Sequence, residues 1–101
     1  MVALVVTGKF KNPEMMEKAI GMEGHFVSHG KKLLEKFHCK GGVLLTHPDG
    51  KFSDISFWDN EEDAKKIMEN SIVKEMMKMS KVLLDGEMKV DYADVSISLG
   101  I

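Results

Sequence analysis

The side chains whose types and spacing could do chemistry are His25, His29, Glu23, Asp54, Trp58 and Tyr92. His25 and His29 stand four apart, one turn, on the same side of a long helical segment. Two imidazoles so placed can move protons, or share a metal with Glu23 or His47 as a further ligand. No third ligand stands at motif spacing, so no metal is expected, and His25 and His29 are the candidate catalytic pair. Glu23 falls inside an apolar stripe if its helix is continuous. Desolvation there would raise its pKa and make it a plausible general base; the flanking glycines would otherwise turn it into solvent. The Trp58 ring could stack on a planar ligand while its N–H donates a hydrogen bond, or it could serve as core. Asp54 shares the Trp58 face of its strand, and Tyr92 sits beside a change of phase, which completes a ligand-binding set of Trp58, Tyr92, Asp54 and Glu23. Cys39, next to Lys40 near a helix C-terminus, lacks the positive dipole that acidifies a thiol and reads as structural. There is no Gly-rich phosphate loop, zinc-type Cys/His spacing or nucleophile elbow.

The chain around these groups has 101 residues, 44% hydrophobic and 30% charged, with a formal charge of −2. That suits one domain, residues 1–101. Lysines and acids are interspersed, so no clustered positive face for nucleic acid is expected. The apolar run Ala3 to Val6 is far too short to span a membrane. No basic stretch precedes a hydrophobic run, so no signal peptide is expected, and the single cysteine fits a reducing, cytoplasmic setting. Nine methionines, three of them Met76, Met77 and Met79, offer adaptable filler for a core or interface.

The elements that must position the candidate groups follow from pattern. Val2 to Lys9 is apolar on both faces, as a central strand requires. Asn12-Pro13-Glu14 opens a helix with a capping side chain, Pro at the first position and an acid at the positive end. Met15, Ala19, Met22, Phe26, Leu33 and Phe37 carry its apolar stripe to about Cys39. Gly21, Gly24 and Gly30 weaken it, and an irregularity is expected around Gly21 to Gly24. Lys40-Gly41-Gly42 is expected to end it. Val43 to His47 and Lys51 to Trp58 then form a hairpin about Pro48-Asp49-Gly50.

A second helical stretch runs from Asp59 to Asp85, its acids at the positive end. Asn70-Ser71 is expected to split it, with Ile72, Met76, Met79 and Leu83 on the buried stripe of the second piece. In the last strand Met88, Val90 and Tyr92 share one face, but Ala93, Val95, Ile97 and Leu99 share the other. That shift predicts a bulge near Tyr92 to Asp94, with the tail from Ala93 to Ile101 free to pair with a second subunit. The order is β-α-β-β-α-β: an α+β, ferredoxin-like fold, a four-stranded antiparallel sheet with helices on one face. The uncovered face would carry Phe52 and Trp58, or Ile55 and Phe57, and predicts a homodimer.

This order, with the segment Ser56-Phe57-Trp58-Asp59-Asn60-Glu61-Glu62-Asp63-Ala64, resembles the dimeric α/β-barrel superfamily, particularly its antibiotic-biosynthesis-monooxygenase branch. The resemblance implies a homodimer whose sheets meet as a barrel, with a cleft in each subunit between sheet and helices. Haem-degrading members have an Asn on the first strand, a Trp on the third and a His on the following helix. Trp58 matches, but the first strand ends Val6-Thr7-Gly8 and residues 61–85 contain no His, so no cofactor is expected. The resemblance does not carry catalysis across; the enzyme reading is a cofactor-independent, monooxygenase-like oxidoreductase acting on a hydrophobic or aromatic small molecule, with Trp58 orienting the substrate and His25 or His29 handling protons. The alternatives are a non-catalytic binder of haem or another apolar ligand, and a structural stress-responsive dimer without ligand.

Overall fold

Asn12 caps the first helix as its type and position predict: its side-chain oxygen accepts a hydrogen bond from the Met15 N–H at 2.9 Å, and Pro13 occupies the first turn. In the computed structural model, which describes residues 1–100, the chain runs β1 (Val2–Lys9), α1 (Pro13–His29), α2 (Lys31–Lys36), β2 (Cys39–Thr46), β3 (Lys51–Trp58), α3 (Glu61–Glu69), α4 (Ser71–Lys81) and β4 (Lys89–Asp94). The strands form one antiparallel sheet in the order β2-β3-β1-β4, so the apolar β1 is central as expected.

The helices cover one sheet face. Leu4, Val6, Phe52 and Trp58 point into it and join Ala64, Ile67, Val73 and Leu84 in the buried core. Val5, Val43, Leu45, Ile55 and Phe57 lie on the opposite face, so Ile55 and Phe57 are the uncovered pair. Val43 and Leu45 are each 49% exposed there.

α1 has no irregularity at Gly21 to Gly24. It is continuous to His29, and the break comes at Gly30. A side chain at Gly21 or Gly24 would meet nothing within 4 Å, so these glycines lie on the outer surface and need no kink. The hydrogen bonds of the helix outweigh their conformational cost. α2 stops at Lys36, and His38 takes a left-handed φ of 62° to start β2 at Cys39. Lys40-Gly41-Gly42 therefore belongs to a strand and not to a helix end. The β2–β3 register shifts between Cys39 and Gly41, whose φ of 141° accommodates the bulge. The hairpin turn forms as expected, with Gly50 at φ 94° and its N–H donating to the His47 carbonyl at 2.9 Å.

Asn70 does split the second helical stretch, its side chain accepting from the Ile72 N–H at 2.9 Å. Half of the expected stripe holds: Leu83 is buried and Met76 half-buried. Ile72 and Met79 are instead 58% and 54% exposed, and the neighbouring Val73 is buried with Met77 half-buried beside it. Both stripes are apolar, and packing against the α3 side of the core selected between them. β4 has no bulge. It pairs with β1 without interruption from Lys89 to Asp94, and the change of phase falls where the ladder ends. Beyond it the Val95 N–H donates to the Met1 carbonyl at 3.0 Å, while Ile97 and Leu99 are almost fully exposed. Of the tail expected to pair with a second subunit, Ala93 and Asp94 pair instead with Ala3 and Val2 of the same chain, and Ile101 lies outside the described residues.

Candidate functional site

α3 seats Ala64 and Ile67 fully in the core, but α1 buries no residue completely. Its underside (Met15, Met16, Ala19, Met22, Glu23 and Phe26) is only half-buried above the sheet. Continuity of α1 keeps Glu23 on that underside, where it meets Asp54 of β3. Asp54 is flanked in its sheet row by Leu44 of β2 and Val6 of β1. Its neighbours along the same strand face are Phe52 and Ser56.

Two carboxyl groups in apolar surroundings cannot both ionise cheaply. Burial, then the charge of Asp54 and a hydrogen bond to it, push Glu23 from 4.5 up to about 7. Burial also raises Asp54, against the hydrogen bond from Glu23, which lowers it. The pair therefore holds one proton near neutrality, with the Glu23 carboxyl donating to the Asp54 carboxylate. Such a pair can accept or release a proton at physiological pH.

The other candidates are placed differently. Trp58 is 2% exposed, and its Nε1–H donates to Ser56 Oγ at 2.8 Å. Its ring and its donor are both engaged inside the fold. His25 and His29 are exposed, their rings stacked with centroids 4.1 Å apart, and the His29 Nδ1–H donates to the His25 carbonyl at 3.0 Å. Tyr92 is half-buried on the helix-facing side of β4, opposite Leu4, with Lys65 Nζ 5.6 Å from its ring centre. Cys39 is half-buried, and burial pushes its thiol up, in keeping with a structural role. Tertiary structure thus joins Glu23 to Asp54, and Trp58 to the same strand face through Ser56.

Sequence reasoning overlooked His38. Its Nδ1 lies 3.2 Å from Oδ2 of the buried Asp63, and with Asp59 these form the one cluster among the described residues offering three metal-ligand atoms within 4.8 Å of one another. Lys40 Nζ, 3.0 Å from Asp59, already supplies a positive charge there. A run of acids at a helix start was the available signal, but their place in the first turn of α3, at its positive end, accounts for it; Asn60 supplies the cap, its Oδ1 accepting from the Asp63 N–H at 2.9 Å.

No family model and no curated protein matches the sequence. Solved structures do match the fold. A monooxygenase from the gene ActVA-Orf6 of Streptomyces coelicolor, in complex with the ligand nanaomycin D, superposes with a TM-score of 0.76 at 14% identity, over 99% of this chain and 92% of that one. An antibiotic biosynthesis monooxygenase superposes at 0.75 and 13% identity, over 96% of this chain and 100% of the other. Rv0793 from Mycobacterium tuberculosis superposes at 0.76 and 9% identity, over 96% of each. The fold is therefore the ferredoxin-like fold of antibiotic-biosynthesis-monooxygenase-like proteins. No helix among the described residues is long and apolar enough to cross a membrane.

Proposed function

We propose that this chain is a homodimeric α/β-barrel protein that binds a hydrophobic, aromatic molecule between α1 and the sheet and oxidises it without a cofactor. The observation that carries this reading is the proton-sharing pair Glu23–Asp54 beneath a helix that is not sealed onto the sheet. The shared fold supports the reaction class. An electron-rich substrate with an acidic methylene, such as an anthrone, supplies its own electrons. The Glu23 carboxylate removes a proton from the methylene carbon, the carbanion is oxidised by dioxygen as a C–O bond forms, and Glu23 returns the proton to the peroxide oxygen. The resulting C–OOH loses water, so that CH2 and O2 become C=O and H2O. Ser56 and Trp58 form the dry floor beside the pair, and exclusion of water strengthens every charge interaction there. In this reading the proton passes to Glu23 and not to the exposed His25 and His29.

Haem does not fit the donor set. α3 and α4 carry no His, and the residues of β1 that face the helices are Val2, Leu4, Val6 and Gly8. The exposed face bearing Val43, Leu45, Ile55 and Phe57 supports the dimer, since burying apolar area contributes about 25 cal/mol per Å².

Oxygen uptake and quinone formation with anthrone test the reading. Matched uptake and product, reduced about a hundredfold or more in Glu23→Gln, is the expected result. Saturable binding without oxygen uptake would leave a non-catalytic binder, and neither binding nor uptake would leave a structural dimer.

A further inference from the structure

Between α4, the end of α3 and the approach to β4 lies a cleft of about 530 Å³. Its floor is Met68, Met77, Met88 and Val90, and its rim carries Lys74, Lys78 and Lys81. The lysines stand at i, i+4 and i+7, so a single face of α4 presents all three. None of them forms an ion pair among the described residues, whereas Lys18, Lys40, Lys51, Lys65 and Lys66 each do. Glu87, at the opposite lip, is the one carboxylate in the lining. A local excess of positive charge therefore sits on a chain whose net charge is −2.

From this charge pattern we infer a second binding site, for a free small molecule with an apolar body and one anionic group, such as a medium-chain carboxylate. Thioether side chains adapt to an irregular apolar body, and lysine stems lie along apolar surface while their ammonium groups meet an anion at the edge. The volume falls within the range of small-molecule pockets. The site is separate from the carboxyl pair. Val90 pairs with Val6 and Val6 with Asp54, so the buried Val6 stands between them, and the two positions are about 10 Å apart across the sheet. A negatively charged ligand is also the one class that Glu23 and Asp54 would repel.

The test is titration of the full chain with dodecanoate below its micelle-forming concentration, followed by calorimetry and by the ¹³C-methyl signals of the methionines. One dodecanoate per chain is expected, binding at least about tenfold more tightly than dodecanol, as a charge-assisted contact requires. The methyl signals of Met68, Met77 and Met88 should shift while that of the exposed Met79 stays in place. The variant Lys74→Gln/Lys78→Gln/Lys81→Gln alters only exposed side chains, so it should keep the wild-type melting curve and lose the preference for dodecanoate. Equal binding of acid and alcohol, unchanged binding by the triple variant, or binding only to vesicles of anionic phospholipid would each overturn the proposal.

Discussion

Glu23 on α1 and Asp54 on β3 share a proton across the gap between helix and sheet: burial raises both carboxyls, the charge of Asp54 raises Glu23 further, and the hydrogen bond from Glu23 lowers Asp54. α1 presents Glu23 on its underside because the helix runs unbroken through Gly21 and Gly24. β3 presents Asp54 there because alternate residues of the strand face the helices.

Stability should fall as pH rises. The Glu23 carboxyl has a higher pKa folded, about 7, than its ordinary 4.5, so the folded state binds the proton more tightly. Its contribution is fully present below 4.5, declines through about 7 and is lost above it. Allowing for solvent screening of a half-buried group, the loss is on the order of 1–2 kcal/mol. Melting temperature should drop by several degrees between about pH 5 and pH 8, and Glu23→Gln should flatten this dependence.

Removing the partner should release the shift. In Asp54→Asn the charge that raises Glu23 is gone, and burial alone remains. The ¹³C titration midpoint of the Glu23 carboxyl should move acidward from about 7, and the rising limb of any oxidase activity should move with it. An unmoved midpoint would mean that burial alone sets it.

The uncovered sheet face should hold two chains together. Sedimentation of the wild type should give twice 11.3 kDa, and Val43→Glu/Leu45→Glu should give 11.3 kDa with the secondary structure retained. Both side chains are about half exposed in the single chain, so the substitution costs little in the fold itself.

Two glycine replacements should have opposite signs. Gly24→Ala meets open space on a helix and should stabilise by about 0.5–1 kcal/mol, read as a higher melting temperature. Gly42→Ala would place its Cβ 2.8 Å from the Ile55 carbonyl oxygen and should destabilise by about 1–3 kcal/mol.

Local signals in the chain determined a great deal. The Asn12-Pro13 and Asn70 caps, the Pro48-Asp49-Gly50 turn and the two-sided apolarity of Val2 to Val6 settle where elements begin, where the hairpin turns and which strand is central, because each acts through neighbours in sequence. Glu23 and Asp54 were both visible as candidates, one in an apolar stripe and one on a strand face. Their pairing was not, since it depends on how α1 lies over β3, a matter of packing between distant segments. The same is true of α4, where Ile72 and Val73 offered two adjacent apolar stripes and only the core decided between them. His38 shows it too, meeting Asp63 only after a left-handed turn into β2. Periodicity tells which face of an element is apolar, but a shared proton needs two particular atoms in contact, and only tertiary packing sets that distance.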